Sequence, residues 1–351
     1  MANGLITPSR LGQSGGTGDT DALFLKVFAN EVLTTFEEVN VMKDLHTIRT
    51  ISSGKSAQFP TMGKATAKYH TPGEDVFESG NGADYATKIT HKERIINIDD
   101  VLIAATSIAN IDELKNHYDV RSAYSTELGR ALAKRFDLAT MRTLVAASQA
   151  NAQGVVDYAN PDAGDGIVID LGTTAGAPAD LSTANNLIQT FRLIAQKLDE
   201  NDIPAEDRFV VLTPELYYLL SGSDNAAINR DFGGSGSIAS GRVMELVGLK
   251  VYSSTHLSDI ASNDVSGDDA NAKNNPFDVA TGNTEGTGYL DNGLSTLKLV
   301  AGHKSAIGTV KLMDLAVESE YSIPKQATLM LAKYAMGHGI LRPEGAVSVI
   351  A

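Results

Sequence analysis

The stretch "TISSGKSAQFP" (residues 50–60) contains Gly54, Lys55 and Ser56, the last three letters of a phosphate-cradling loop. That loop is G-x-x-x-x-G-K-[ST], set between a strand and the N-terminus of a helix. Its first glycine lets the backbone turn so that its N–H groups face the phosphates. Here Arg49 stands where that glycine is needed. The following run, "SAQFPTMGKATAKYHTPGED", contains Pro60, Gly63, Pro72 and Gly73. That spacing breaks a helix. The reading as a P-loop nucleotide enzyme is therefore disfavoured. Gly-Lys-Ser reads instead as a turn with a basic side chain at its tip.

Outward from this turn, residues 48–99 read as extended. "HTIRTI", "SAQFP", "TAKYH" and "KITHKERIINID" are strand-like and rich in Ile and Thr. The polar stretch "TPGEDVFESGNGADYAT" lies between them. The pattern predicts a long hairpin with a soft tip and few large apolar residues. Such an arm is marginal in isolation, so it makes physical sense lying on another subunit. Lys55, Lys64 and Lys68 give it a basic side. These lysines either deter strand aggregation or pair with an acidic neighbour.

Upstream, residues 1–20 are rich in Gly, Ser, Thr and Asn and read as a mobile tail. They show neither the basic nor the apolar region of a signal peptide. In "DTDALFLKVFANEVLTTFEEVN", Asp19, Thr20 or Asp21 can cap a helix over about 21–39. Phe24, Val27, Phe28, Val32 and Phe36 recur there at helical spacing. Its apolar face is expected to dock on a neighbour, which makes Phe24, Phe28 and Phe36 candidate subunit contacts.

Downstream, Asn110 and Glu113 resemble a capping box, and no proline follows until Pro161. Leu114, Tyr118, Leu128, Leu132, Phe136, Ala139 and Ala146 fall in one stripe, interrupted by Arg121, Ser125 and Thr143. A coiled coil fails because its seam from Leu114 meets Arg121, Arg135 and Arg142. A long single helix lying along a sheet is expected. Residues 151–300 alternate as a compact α/β unit. "TANNLIQTFRLIAQKLDENDIP" is a helix, "RFVVLT" a buried strand, and "PELYYLLSG" a helix with Pro214 in its first turn. "GRVMELVGLKVYSSTHL" is expected to hold a short helix and a strand. Residues 258–288 form an acidic loop rich in Gly, Asn and Asp, and the remainder is strand-rich with Pro324 at a turn.

The 351 residues include no Cys and no Trp, so there is no disulfide framework and no thiolate metal site. No segment approaches the ~18 apolar residues of a membrane helix. Of the net charge of −14, residues 151–300 carry −13, with eight basic and twenty-one acidic side chains. Phosphate binding needs Lys and Arg, so this segment is suited to avoiding nucleic acid or simply to solubility. The seven histidines form neither H-x-H nor H-E-x-x-H. "GGSGSIASGR" (233–242) lacks a dinucleotide fingerprint. "DVSGDDANAKNN" lacks the closing Glu of a calcium loop, and no G-x-S-x-G elbow occurs. No catalytic, cofactor-binding or metal-ligating residue emerges.

Four stretches carry a resemblance: "ALFLKVFANEVLTTF" (22–36), "ISSGKSAQFP" (51–60), "NHYDVRSAYSTELGRALA" (116–133) and "AKYAMGHGILRPE" (332–344). With them the chain resembles the major capsid proteins of T-seven-like short-tailed phages, including those of cyanobacteria. The stretch from about 150 to 300 departs most from the family pattern. The resemblance implies the Hong Kong 97 phage capsid fold, an α+β fold. It implies an N-arm over 1–48, an E-loop over 49–98 and a P-domain with a spine helix over 99–150. An A-domain over 151–300 follows, and 301–351 returns through P-domain strands to close the A-domain. It further implies self-assembly into hexamers and pentamers of an icosahedral head. A scaffolding protein and a portal protein would be partners, with packaged double-stranded DNA enclosed without specific binding. No enzyme activity, cofactor or membrane is implied, and assembly would take place in the host bacterial cytoplasm. An encapsulin-like nanocompartment shell shares the fold and is the alternative.

Overall fold

The computed structural model describes residues 40–62, 91–99, 101–109, 121–150, 165–220, 245–257 and 297–351, with isolated positions at 67, 69, 70, 72 and 111. In chain order the first strands are β1 (Thr47–Thr50), β2 (Ser56–Met62), β3 (His91–Asn97) and β4 (Leu102–Ala109). Helix α1 (Arg121–Gln149) follows, then β5 (Ile167–Asp170), α2 (Ala184–Glu200), β6 (Arg208–Leu212) and α3 (Pro214–Leu220). The last strands are β7 (Glu245–Leu246), β8 (Leu249–Ser253), β9 (Leu297–His303), β10 (Ile307–Ser322), β11 (Ala327–Ile340) and β12 (Ala346–Ile350).

They make two sheets and a separate hairpin. One sheet has the order β1–β10–β11–β4, the other β5–β12–β9–β6–β8–β7, and among the described strands β2 pairs only with β3. The four-stranded sheet is built on the long antiparallel pair β10–β11, registered from Ile307 opposite Ile340 to Ser322 opposite Ala327. A 3-10 turn at Ile323–Lys325 joins the two strands, with Pro324 inside it and Gln326 in the left-handed region at φ 46°. The proline at a turn is thus where the sequence placed it.

The centre of the six-stranded sheet is buried on both faces, with β6 buried throughout, and its side chains alternate between two cores. Val210 and Leu212 of β6 pack with Leu187, Phe191, Ile194 and Leu198 of α2. Phe209 and Val211 point the other way, onto Leu138, Met141, Leu144 and Val145 of α1. Strand β6 therefore reads as a continuous apolar run, as expected for "RFVVLT". Helix α2 starts at Thr183, whose side chain accepts from the Asn186 N–H. It ends before Pro204, as expected. Buried Arg208 donates to Asp199 Oδ1 at 2.6 Å and to the carbonyls of Pro204 and Ile203, tying the end of α2 to β6.

Helix α1 touches both sheets. Leu132, Ala133 and Phe136 pack on Ile108, Met330, Ala332 and Met336 of the four-stranded sheet. Further along, its side chains reach Phe209, Val300 and Ala346 of the six-stranded sheet and Met42 and Leu45 of the incoming chain. The long single helix on a sheet stands, and the stripe residues Leu128, Leu132 and Phe136 pack on that sheet, but beyond Phe136 no polar face remains opposite the stripe. Every residue from Phe136 to Ala150 is buried, including Asp137 and Arg142. The cause is the layering, since protein covers all sides of these last turns. Their hydroxyl groups are satisfied locally. Thr140, Thr143 and Ser148 each donate to a carbonyl three or four residues back, and Ser148 also meets Ser348 of β12 at 2.7 Å. Leu114, Tyr118 and the Asn110/Glu113 capping box lie outside the described residues.

In "GRVMELVGLKVYSSTHL" the described residues begin with strands, and the helical residues, His256 and Leu257, come after them at the edge of the described stretch. Residues 245–253 form the hairpin β7–β8, turning through Val247 at φ 54° and Gly248 at φ 74°. A two-residue turn of this hand needs φ > 0 at both positions. Gly248 supplies it at no steric cost, and the pairing of Leu246 with Leu249 holds Val247 there. The N-terminal helix over 21–39, "TAKYH" apart from isolated positions, "GGSGSIASGR" and the 258–288 loop lie outside the described residues.

Candidate assembly surfaces

The quoted stretch forms the root of the β2–β3 hairpin. Strand β1 ends at Thr50, and the Ile51 N–H still donates to the Lys311 carbonyl at 2.9 Å. Gly54 then takes φ 119°, a value that other residues rarely adopt. Strand β2 leaves from Ser56, and the Ile98 N–H closes the root by donating to the Lys55 carbonyl at 2.9 Å. A strand, not a helix, follows Gly-Lys-Ser, so no phosphate loop exists. Arg49, the residue that spoiled the motif, has a structural task. Its Nη1 donates to the Gln58 carbonyl at 2.7 Å, and its guanidinium lies 5.5 Å from the centre of the Phe59 ring. The Lys55 side chain is exposed.

The root lies across the body on a strip of glycine. Ala57 and Ile96 are buried against Val310, with Phe59, Ile98 and Leu341 around them. Beneath, "MGHG" of β11 gives way to the crossing strand. A Cβ on Gly337 would meet the Asn97 carbonyl oxygen at 1.9 Å, and one on Gly339 would meet Ile96 Cγ1 at 2.6 Å. The Asp99 N–H anchors the exit by donating to the Met336 carbonyl at 3.2 Å.

Of the six candidate contact residues only Lys55 is among the described ones; Phe24, Phe28, Phe36, Lys64 and Lys68 lie outside them. Sequence reasoning missed a second surface. At the end of the β10–β11 pair, Tyr321, Ile323 and Leu329 are exposed, Ile323 at 71%. With Pro324, Glu320 and Lys325 they line a cavity of about 370 Å³. Its signal was legible in "YSIPKQ": a large apolar residue at a turn, where polar residues and glycine are usual. Ile95 of the hairpin and Ile103 of β4 are also exposed, at 59% and 54%.

Comparison with known proteins gives these surfaces a setting. The family model described as "Gp10A-like: Major capsid protein" matches residues 58–350. The chain belongs to this family. It is 34% identical to the major capsid protein of Enterobacteria phage T3 over 344 residues, covering 97% of this chain and 94% of that protein. Against the major capsid protein of Escherichia phage T7 the identity is also 34%, covering 95% and 93%. The capsid structure of cyanophage P-SCSP1u matches with a TM-score of 0.69 and 37% identity, covering 99% of both chains. The capsid fold is therefore of the Hong Kong 97 type, with β10–β11 and α1 as its frame. This capsid protein is a structural subunit of a phage head, not an enzyme. The nanocompartment alternative is not favoured, because the family and these relatives are phage capsid proteins.

No helix among the described residues is long and apolar enough to cross a membrane.

Proposed function

We propose that this capsid protein tiles an icosahedral phage head as hexamers and pentamers around double-stranded DNA that it does not bind specifically. The observation that carries this is the family match over 58–350, and the shape supports it. The β2–β3 hairpin leaves the body with only a small core at its root, and apolar side chains stand exposed at Ile95, Ile103 and Ile323. A single subunit leaves these unpaired; neighbours cover them. Interfaces of ~1,600 Å² are individually of modest affinity, but each subunit meets several neighbours, so release from a closed shell is slow. Lys55, exposed at the hairpin root, reaches one such neighbour, as do Phe24, Phe28, Phe36, Lys64 and Lys68.

On this reading residues 1–48 are the N-arm, 49–98 the E-loop and 99–150 the P-domain with its spine helix. Residues 151–300 form the A-domain and 301–351 the return. A scaffolding protein guides assembly in the host cytoplasm, and a portal protein replaces one pentamer. The acidic 151–300 segment suits a wall that DNA must not stick to.

Negative-stain microscopy of the protein made alone and with a scaffolding protein tests this. Closed shells of uniform size are expected. Protein that stays in small soluble oligomers under both conditions overturns the reading.

A further inference from the structure

A continuous chain of polar groups runs through the interior and joins five separate pieces of the subunit. His338 Nδ1 of β11 lies 2.8 Å from Thr309 Oγ1 of β10. The same hydroxyl lies 2.7 Å from His46 Nε2. His46 Nδ1 is 2.6 Å from the Met42 carbonyl. The N–H groups of Val41 and Met42 donate to the two oxygens of Asp137 on α1, each at 3.1 Å. His256, just beyond β8, places Nδ1 2.9 Å from Asp137 Oδ2. His46, Thr309 and Asp137 are buried. The Phe136 ring lies 5.7 Å from the His46 ring and 5.2 Å from the His338 ring.

The donors and acceptors fit together in one direction only. A carbonyl accepts, so His46 Nδ1 carries the proton, and Nε2 of the neutral ring accepts from Thr309. The Thr309 hydroxyl has one proton, now used, so its oxygen accepts from His338 Nδ1–H. Thr309 is thus the single hydroxyl through which both rings are joined.

We propose that this chain is a proton-sensitive latch holding residues 40–46 against α1 and the four-stranded sheet. Protonating His46 turns Nε2 into a donor, reverses its bond to Thr309 and leaves the Thr309 proton without its acceptor. It also places a charge in a buried site. The groups facing His46 are Asp44 in its own segment, Asp137 on α1, Lys304 before β10 and His338 on β11. Burial holds His46 down at about 4 and His338 at about 3, so the latch is closed at neutral pH. Opening also unseats Met42 and Leu45 from the core they share with α1, so residues 41–46 move as a unit, and the strand that follows adds little to hold them. Strand β1 is a four-residue edge strand with three exposed residues, whereas β10, β11 and β4 pair along their lengths without it.

Hydrogen exchange of the purified full-length chain, corrected for the intrinsic pH dependence of amide exchange, tests the latch. In the wild type, peptides over 41–50 should lose protection as pH falls through about 4 while those over 297–303 keep theirs. Thr309→Val keeps the shape but lacks the hydroxyl. It should expose 41–46 already at neutral pH, with exchange at least ~10-fold faster. Thr309→Ser should behave as wild type. Protection over 297–303 reports whether each variant is folded, and the wild-type pH profile stands without any variant. The proposal fails if 41–50 and 297–303 lose protection together at every pH, or if folded Thr309→Val follows the wild-type profile.

Discussion

Gly337 shows how one atom sets the placement of an arm. Its missing Cβ is the space into which the Asn97 carbonyl fits, and Asn97 ends the strand that carries the hairpin back to the body. Backbone cannot yield as a flexible side chain does, so Gly337→Ala must shift β3 bodily. Overpacking of this kind costs typically 1–3 kcal/mol. The expected result is a lower melting temperature together with reduced particle yield, because the displaced root re-aims the hairpin. Normal melting and normal yield would show that the root tolerates displacement. Asp137 is the polar counterpart. It is buried and accepts from two backbone N–H groups. Asp137→Asn keeps the size but replaces one acceptor by a donor facing another donor, which costs on the order of 1–3 kcal/mol. Chemical denaturation should show the loss as a lower midpoint with an unchanged slope.

At the level of elements, the β2–β3 hairpin brings only a small core of its own at its described root. Deleting 62–86 removes the part of the hairpin beyond its root. The root core of Ala57, Ile96 and Val310 remains, so a folded, soluble subunit is expected that forms no stable shells. Particles of normal size and heat resistance from this deletion would show that the arm is not a clamp between subunits. For the N-terminal segment, Phe28→Asp should reduce particle yield far more than subunit melting. Burying one such ring against a neighbour contributes roughly 1.5–3 kcal/mol, and that contribution is absent from an isolated subunit. If melting collapses while the surviving protein assembles normally, Phe28 belongs to an internal core.

For the molecule as a whole, two solution properties follow. Neither the wild type nor Lys55→Ala should bind nucleotide, since β2 rather than a helix follows Ser56; any effect of the substitution should appear in assembly. Equilibrium dialysis with ATP checks the first half of this. The second property is acid sensitivity. In the folded chain His46 is lowered from 6.5 to about 4 and His338 from 6.5 to about 3. Below pH 6.5 the unfolded chain therefore binds protons that the folded chain refuses. Stability is complete above that value and is lost progressively as pH falls toward 4. Calorimetry should show a falling melting temperature over this range, and His46→Gln should flatten the fall.

Much of the design was legible in the chain itself because it depends on local chemistry. Pro60, Gly63 and the Ile/Thr-rich runs forbade a helix after Gly-Lys-Ser. Thr183 and Pro204 bounded α2, and the continuous apolar run at 209–212 required a strand covered on both faces. The family likeness rested on stretches such as "AKYAMGHGILRPE", whose glycines are spaced by two because a strand shows every second residue to one side. What crosses them was not written there. Only the tertiary structure brought Asn97 over Gly337, wrapped α1 so completely that Asp137 and Arg142 became interior, and drew His46, Thr309 and His338 together across 263 and 29 residues of sequence. The reason is physical. Propensity and periodicity are set by neighbours along the chain, whereas burial of a polar group is decided by which distant partner can satisfy it.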